Sequence, residues 1–226
     1  MNVLTILRDA WFFYSRNLGS IVRLCLPLIV LESCTRLAVG HLFDKDAMPA
    51  QELLIGLLFY PLYIAALILF LDARSRGYAP PLREVMMRAL PLWPSMAVLA
   101  GLGTLLIMLG ASLFVLPGIL VMVKIAFAEY LLVLRGLSPL AALKQSFLET
   151  RGHFLLILGC IMAVLLPLWL LEAWIAAQLW AGESSPGPLA VVVESAVGVI
   201  QLLATVVLFR CFMLCSAPAI VHDEQN

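Results

Sequence analysis

The sequence predicts an all-α, polytopic membrane protein with six transmembrane helices and three interfacial amphipathic helices, arranged as three same-orientation repeats. Composition is the first observation behind this. The 226 residues are 63% hydrophobic and 12% charged, with mean hydropathy +1.05, whereas a soluble domain carries roughly 25% charged residues. Half that supply cannot cover a water-facing surface of this size, so lipid must be the solvent for most of it. The second observation is a basic amphipathic stretch that occurs three times, at 4–18, 81–92 and 139–152. Each is followed by enough apolar sequence to cross a bilayer twice, at about 20 residues per crossing. Six crossings leave about a hundred positions for interfacial helices and loops, too few for an added soluble catalytic domain. One integral membrane domain, 1–226, with repeat units near 1–72, 78–134 and 136–219, accounts for the whole chain.

The third observation is where the bases fall. Arg8, Arg16, Arg74, Arg76, Arg83, Arg88, Arg135, Lys144 and Arg151 lie in alternate segments, and Lys45 is the single base in the others. By the positive-inside rule this bias puts both termini and the three basic helices in the cytoplasm of an inner (plasma) membrane. Nothing near the N-terminus reads as a cleavable signal, because Arg8 and Asp9 interrupt the apolar run.

In the first unit, Asn2 can cap a helix whose apolar face is Val3, Leu4, Leu7, Trp11 and Tyr14. That helix should lie in the interface plane, with Trp11 and Tyr14 at headgroup depth. Span one then covers about 20–39, an outer loop 41–52, and span two 53–71. The second unit opens with Pro80-Pro81, tolerated at a first turn where the missing N–H has no intrahelical acceptor. Its helix sets Leu82, Val85, Met86 and Ala89 against Arg83, Glu84 and Arg88. Spans three (94–112) and four (117–134) follow, joined by an uncharged turn. In the third unit Ser138 is the expected N-cap and Pro139 the first helical residue. Leu140, Leu143 and Phe147 face one way, with Lys144, Gln145 and Arg151 elsewhere. Spans five (153–174) and six (from 189) flank a Gly- and Pro-rich outer loop, 181–188. The matching leucines Leu7, Leu82 and Leu140 are 75 and 58 residues apart, the first unit being lengthened by its outer loop. Secondary transporters commonly show inverted repeats with broken helices, a pattern not evident here.

The stretch Leu116-Pro-Gly-Ile-Leu-Val-Met-Val-Lys124 through Glu129, then Gly136-Leu-Ser-Pro-Leu-Ala-Ala-Leu-Lys-Gln-Ser146 and Thr150-Arg-Gly152, resembles YciC-type bacterial inner-membrane proteins. It is similar also to the membrane domain attached to some glycerophosphodiester phosphodiesterases. The shared pattern is a proline-glycine opening a span, a base within it, then a glycine, an A-x-x-x-S helix and a basic-glycine pair. The resemblance implies an inner-membrane protein linked to the envelope or its lipids, and it carries over no catalytic residue. With no phosphodiesterase domain in the sequence, phosphodiester hydrolysis is not expected.

Charges inside spans carry the functional reading, since Lys, Arg or Asp at a helix centre costs about 2.5–3.5 kcal/mol on insertion scales. Glu32 and Arg36, one turn apart, can pair. Lys124 should lie about 10 Å below the outer end of span four, and Glu172 and Glu194 bracket the last outer turn. These five are the candidate substrate-binding cluster, a polar cavity open to the outside in which Lys124 faces an acid, first of all Glu32. The alternative is structural ion pairs and snorkelling side chains. Glu129 is expected to meet Arg23 or Arg210 instead. Arg83, Arg88, Lys144 and Arg151 are the candidate contacts to anionic lipid headgroups.

Other chemistry finds little purchase. Five cysteines in hydrophobic spans and three scattered histidines, His41, His153 and His222, lack ligand spacing, so no metal or cofactor is expected. P-loop, G-x-S-x-G and H-E-x-x-H motifs are absent, and nucleic acid is not an expected partner. Ala97 with Gly101, and Gly159 with Ala163, read as packing seams. Two functions follow. The first is a non-enzymatic scaffold or accessory in envelope or membrane-lipid homeostasis, touching membrane lipids and other membrane proteins. The second is a small transporter or permease for an anionic or amphiphilic substrate, using a cavity around Lys124.

The topology has a direct test. Reporter fusions active only outside should be silent after Gly77 and Gly136 and active near Ala47 and Ser185; the opposite pattern at any two positions overturns the six-span order.

Overall fold

A computed structural model describes residues 2–42, 48–179 and 188–216. Residues 43–47 and 180–187, which hold most of the two charged or turn-rich loops expected on the outer side, and the tail 221–226 with His222, lie outside the described residues. The elements are α1 (Val3–Leu42), α2 (Met48–Ser75), α3 (Leu82–Ala89), α4 (Trp93–Leu113), α5 (Val115–Ile125), α6 (Ala128–Arg135), α7 (Pro139–Glu149), α8 (Phe154–Leu179) and α9 (Pro188–Cys215). Among the described residues every regular element is helical. Six stretches, namely α1, α2, α3 with α4, α5 with α6, α8 and α9, are long and apolar enough to cross a bilayer. By length and composition the chain is a multi-pass α-helical membrane protein.

Helix α1 is 40 residues long, about 60 Å at 1.5 Å per residue and twice the roughly 30 Å of hydrocarbon. The expected division between an interfacial helix and span one is therefore absent. A helix-interior glycine such as Gly19 costs only about 1 kcal/mol, and packing along α9 outweighs it. That packing also selects a different buried edge, namely Ile6, Ala10, Tyr14 and Ile21, while Leu4 and Trp11 are exposed. Tyr14, expected at headgroup depth, is buried and donates to the Val199 carbonyl of α9 at 2.6 Å.

The core gathers in the half of the bundle nearest the basic turns. Ile64–Phe70 of α2 is buried almost all round, and so are Tyr130, Leu131 and Leu132 of α6. Helix α2 packs against α1, α3, α4, α6 and α9, and Ala65 and Ala66 let those neighbours approach closely. Tyr130 donates to the Thr205 carbonyl at 2.8 Å, tying α6 to α9. Toward the other end, α4 and α5 form a tight hairpin turned at Phe114 alone. There a Cβ on Gly118 would lie 3.1 Å from Ala111, so the proline-glycine pair marks a close helix crossing. Of the two expected seams, Gly159 meets Val3 of α1 and Gly101 meets Leu57 of α2.

The unit boundaries share one device. Gly77 (φ 79°) and Gly136 (φ 65°) adopt the left-handed conformation after α2 and α6, and Pro81 or Pro139 then opens the short helix that follows. Ser138 occupies the N-cap position, although its side chain makes no capping bond.

Helix α7 presses its Ala142, Leu143 and Ser146 edge into protein, against α4, α5 and α6. Leu140 and Phe147, expected on Leu143's face, are exposed. Its Ser146 explains why span four is not one helix. The Phe127 N–H donates to Ser146 Oγ (3.1 Å), and that hydroxyl donates to the Lys124 carbonyl (2.7 Å). In a continuous helix those backbone groups would pair with Val123 and Ala128. One side chain thus satisfies two of the groups freed by the break between α5 and α6. Glu149, at the end of α7, accepts hydrogen bonds from Gln145 (3.0 Å), Arg135 and Ser216. It thereby joins α6, α7 and the residue following α9.

Partial burial raises the Glu149 pKa, but the bonds from Ser216, Gln145 and Arg135 outweigh it and hold the carboxyl below the usual carboxylate range. Its contribution to stability is complete above the ordinary glutamate value of about 4.3 and is lost as pH falls through the depressed native value. The thermal midpoint of the purified protein should therefore fall on acidification below about pH 4, and fall less in Glu149→Gln. Ser146→Ala should cost about 1–3 kcal/mol at any pH, the penalty for an unsatisfied buried N–H; an unchanged midpoint would mean the break is held by something else.

Candidate functional site

Four of the five charged residues singled out from sequence come together. Glu32, Arg36, Glu172 and Glu194 line one recess of about 640 Å³ between α1, α8 and α9. The pairing expected for Glu32 with Lys124 is replaced by one within α1, where Arg36 Nη2 lies 2.5 Å from Glu32 Oε1. Glu32 is 6% exposed. The Arg36 side chain is 44% exposed and reaches toward the recess. The four-residue spacing on a helix brings the two side chains to one face without help from another element.

Lys124 is elsewhere. It lines neither this recess nor the second cavity of the bundle, and it makes no ion pair among the described residues. It lies near the end of α5, where its carbonyl meets Ser146 of α7. A depth counted along one straight span does not hold here, because the helix breaks two residues after Lys124.

A second cavity, of about 480 Å³, runs between α1, α2, α4, the α5–α6 break, α7, α8 and α9. Glu32, Arg36, Tyr63 and Gln201 line both spaces, so the two adjoin at these residues, a neck between the recess and the second space, here termed the inner chamber. Small residues make the room: Gly56 on α2, Ala100 and Gly103 on α4, and Ala126 and Ala128 at the break. Trp93 ties α4 to α2 by donating to the Leu58 carbonyl at 2.8 Å.

The residue that sequence reasoning did not place in the site is Glu129. It was expected beside Arg23 or Arg210, but Arg210 pairs with Asp9 of α1 at 3.4 Å. Glu129 instead lines the inner chamber and accepts a hydrogen bond from Tyr60 Oη at 3.0 Å. Tyr60 in turn packs edge-on against Tyr63, ring centroids 5.6 Å apart. The signal for this existed in the acid itself, an intramembrane carboxylate with no base one turn away on its own helix. Choosing its partner required knowing that α2 is the central helix.

The two spaces together carry four carboxylates and one guanidinium. Their ionisable groups are mainly acids, whereas a cavity built on Lys124 would attract anions. The four candidate lipid contacts, Arg83, Arg88, Lys144 and Arg151, are exposed, and Arg88 pairs with Glu84 at 2.7 Å. Met87, Leu90, Leu140 and Leu148 are exposed beside them. Among the described residues no group of three His, Cys, Asp or Glu is arranged to hold a metal ion.

Removing Arg36 should strand Glu32. Arg36→Leu should lower folded yield, by less than the roughly 3–5 kcal/mol of a fully enclosed pair because Arg36 is partly solvated. The double variant Glu32→Leu with Arg36→Leu should recover most of that yield, read by fluorescence-detected size exclusion. Lys124→Glu combined with Glu32→Lys should show no mutual rescue; rescue there would contradict the observed pairing.

No family model matches the chain, and no solved structure matches it.

Proposed function

We propose that this protein is a small, non-enzymatic membrane permease, which binds an amphiphilic solute in the inner chamber and passes it through the neck to the outer recess. The observation that carries this reading is the pair of cavities sharing Glu32, Arg36, Tyr63 and Gln201. A scaffold needs no polar space in its centre, and charged groups in hydrocarbon are retained where they line a pathway. The Glu32–Arg36 pair is the natural barrier, since breaking it opens the neck and re-forming it closes it.

The proposal includes an inner-membrane location, with the basic end of the bundle and both termini in the cytoplasm, following the bias of bases between alternate segments. The resemblance to YciC-type proteins belongs with this proposal and agrees with that location. A threefold repeat is supported by the matched Gly77 and Gly136 turns and the prolines after them. An interfacial role for the short helices is supported by the exposed bases and apolar side chains of α3 and α7. Those same surfaces favour the second reading, a scaffold gripping anionic lipid and other membrane proteins in envelope or membrane-lipid homeostasis.

Proteoliposomes separate the two. Vesicles holding the protein should take up at least one of three small aromatic solutes, benzyltrimethylammonium, benzenesulfonate or phenylalanine, faster than empty vesicles. Gln201→Trp, which fills the neck, should abolish that uptake. If none of the three crosses faster than in empty vesicles, the permease reading fails and the lipid-binding scaffold takes its place.

A further inference from the structure

We propose that the inner chamber is a binding site for an organic ammonium ion, with Glu129 as its counter-charge and Tyr60 and Tyr63 as its aromatic walls. This rests on the permease reading only for its direction of transport; the site itself stands on geometry.

Among the described residues Glu129 is the only carboxylate of the inner chamber beyond the neck, and its one hydrogen bond there comes from Tyr60. Among the described residues it has no basic partner, and the single base lining the chamber, Arg36, is bound to Glu32. The neighbouring Tyr130 turns its hydroxyl away, to the Thr205 carbonyl. A carboxyl in such a place is held ionised only by a cation beside it; the described protein groups supply none, and an external cation is the complement the site lacks.

The rest of the lining decides which cation. A hard metal ion needs about six oxygen ligands, and Glu129 with the Tyr60 hydroxyl supplies too few. The walls are mostly hydrocarbon, with Leu57, Met122, Ile161 and Leu165 among them, and would not replace the water of a small hydrated ion. A weakly hydrated ammonium bearing carbon groups suits both features. Its charge meets the carboxylate and the faces of the tyrosines, which attract cations through the ring quadrupole, while its carbon groups meet the aliphatic side chains. At about 480 Å³ the chamber falls within the usual range for small-molecule sites, about 300–1,000 Å³.

Calorimetry on the full chain in nanodiscs, with benzyltrimethylammonium as probe, tests this. Benzyltrimethylammonium should bind saturably and at least about tenfold more tightly than benzyl alcohol or benzenesulfonate, a difference of about 1.4 kcal/mol. Glu129→Gln and Tyr60→Leu should each weaken it by about tenfold or more. Equal affinity in Glu129→Gln, or a cation bound no better than the neutral alcohol, overturns the proposal. If Glu129→Gln does not purify folded, the wild-type comparison of cation, alcohol and anion decides alone. Binding without uptake would leave the ammonium site standing and remove the permease; uptake of benzenesulfonate without cation binding would do the reverse.

Discussion

A carboxylate taken into hydrocarbon loses hydration worth several kcal/mol even after the surroundings relax, and Glu32 and Glu129 both sit within helices long enough to span a bilayer. The rest of the arrangement answers that constraint. Glu32 is offset by a guanidinium one turn along its own helix. Glu129 receives a tyrosine hydroxyl from the central helix and faces a cavity rather than lipid. Small residues at Gly56, Ala100, Gly103, Ala126 and Ala128 hold that cavity open. The bundle therefore divides along its length. The half near the basic turns holds most of the buried core, and the cavities gather around the intramembrane acids.

The packed half gives the cavity walls their rigidity. Helix α2 is enclosed by neighbours from Ile64 to Leu71, and α6 likewise across Tyr130 to Leu132. Tyrosines 14 and 130 both donate to carbonyls of α9, so α1, α6 and α9 keep fixed rotations about their axes. That in turn fixes where Glu32, Glu129 and Gln201 point. The α5–α6 break belongs to the same logic: in hydrocarbon, freed backbone groups must be satisfied by protein, and Ser146 satisfies two of them. A mutation in α7 thus reaches the chamber wall through the backbone of Lys124 and Phe127.

Much of the fold was legible in the sequence, because a bilayer imposes length and composition rules that soluble cores do not. Six apolar stretches, the intrahelical reach of Arg36 to Glu32, and the grouping of Glu172 and Glu194 with them all follow from hydropathy and helical spacing. What was not legible depends on tertiary contacts. No glycine or proline marks the break at Ala126–Phe127; a serine some twenty positions later stabilises it. Tyr14 has the amphipathic character of an interfacial anchor, and only the position of α9 makes it a buried donor. Lys124 looked like the centre of the site because it was the deepest base on a straight span. Once the span breaks, Glu129 occupies the chamber and the site's ionisable groups are mainly acids.

The central claim is that the charged chamber is water-accessible while the helix surface beside it faces lipid. Thr104 lines the chamber, and Leu105, the next residue of α4, is exposed on the outside of the bundle. Spin labels placed singly at these two positions in bilayers, and probed with a polar nickel chelate and with oxygen, separate the two environments within one residue. The account predicts relaxation by nickel at position 104 and by oxygen at position 105. Relaxation by oxygen at both positions, with no response to nickel at either, would mean that the chamber is closed to water and would contradict it.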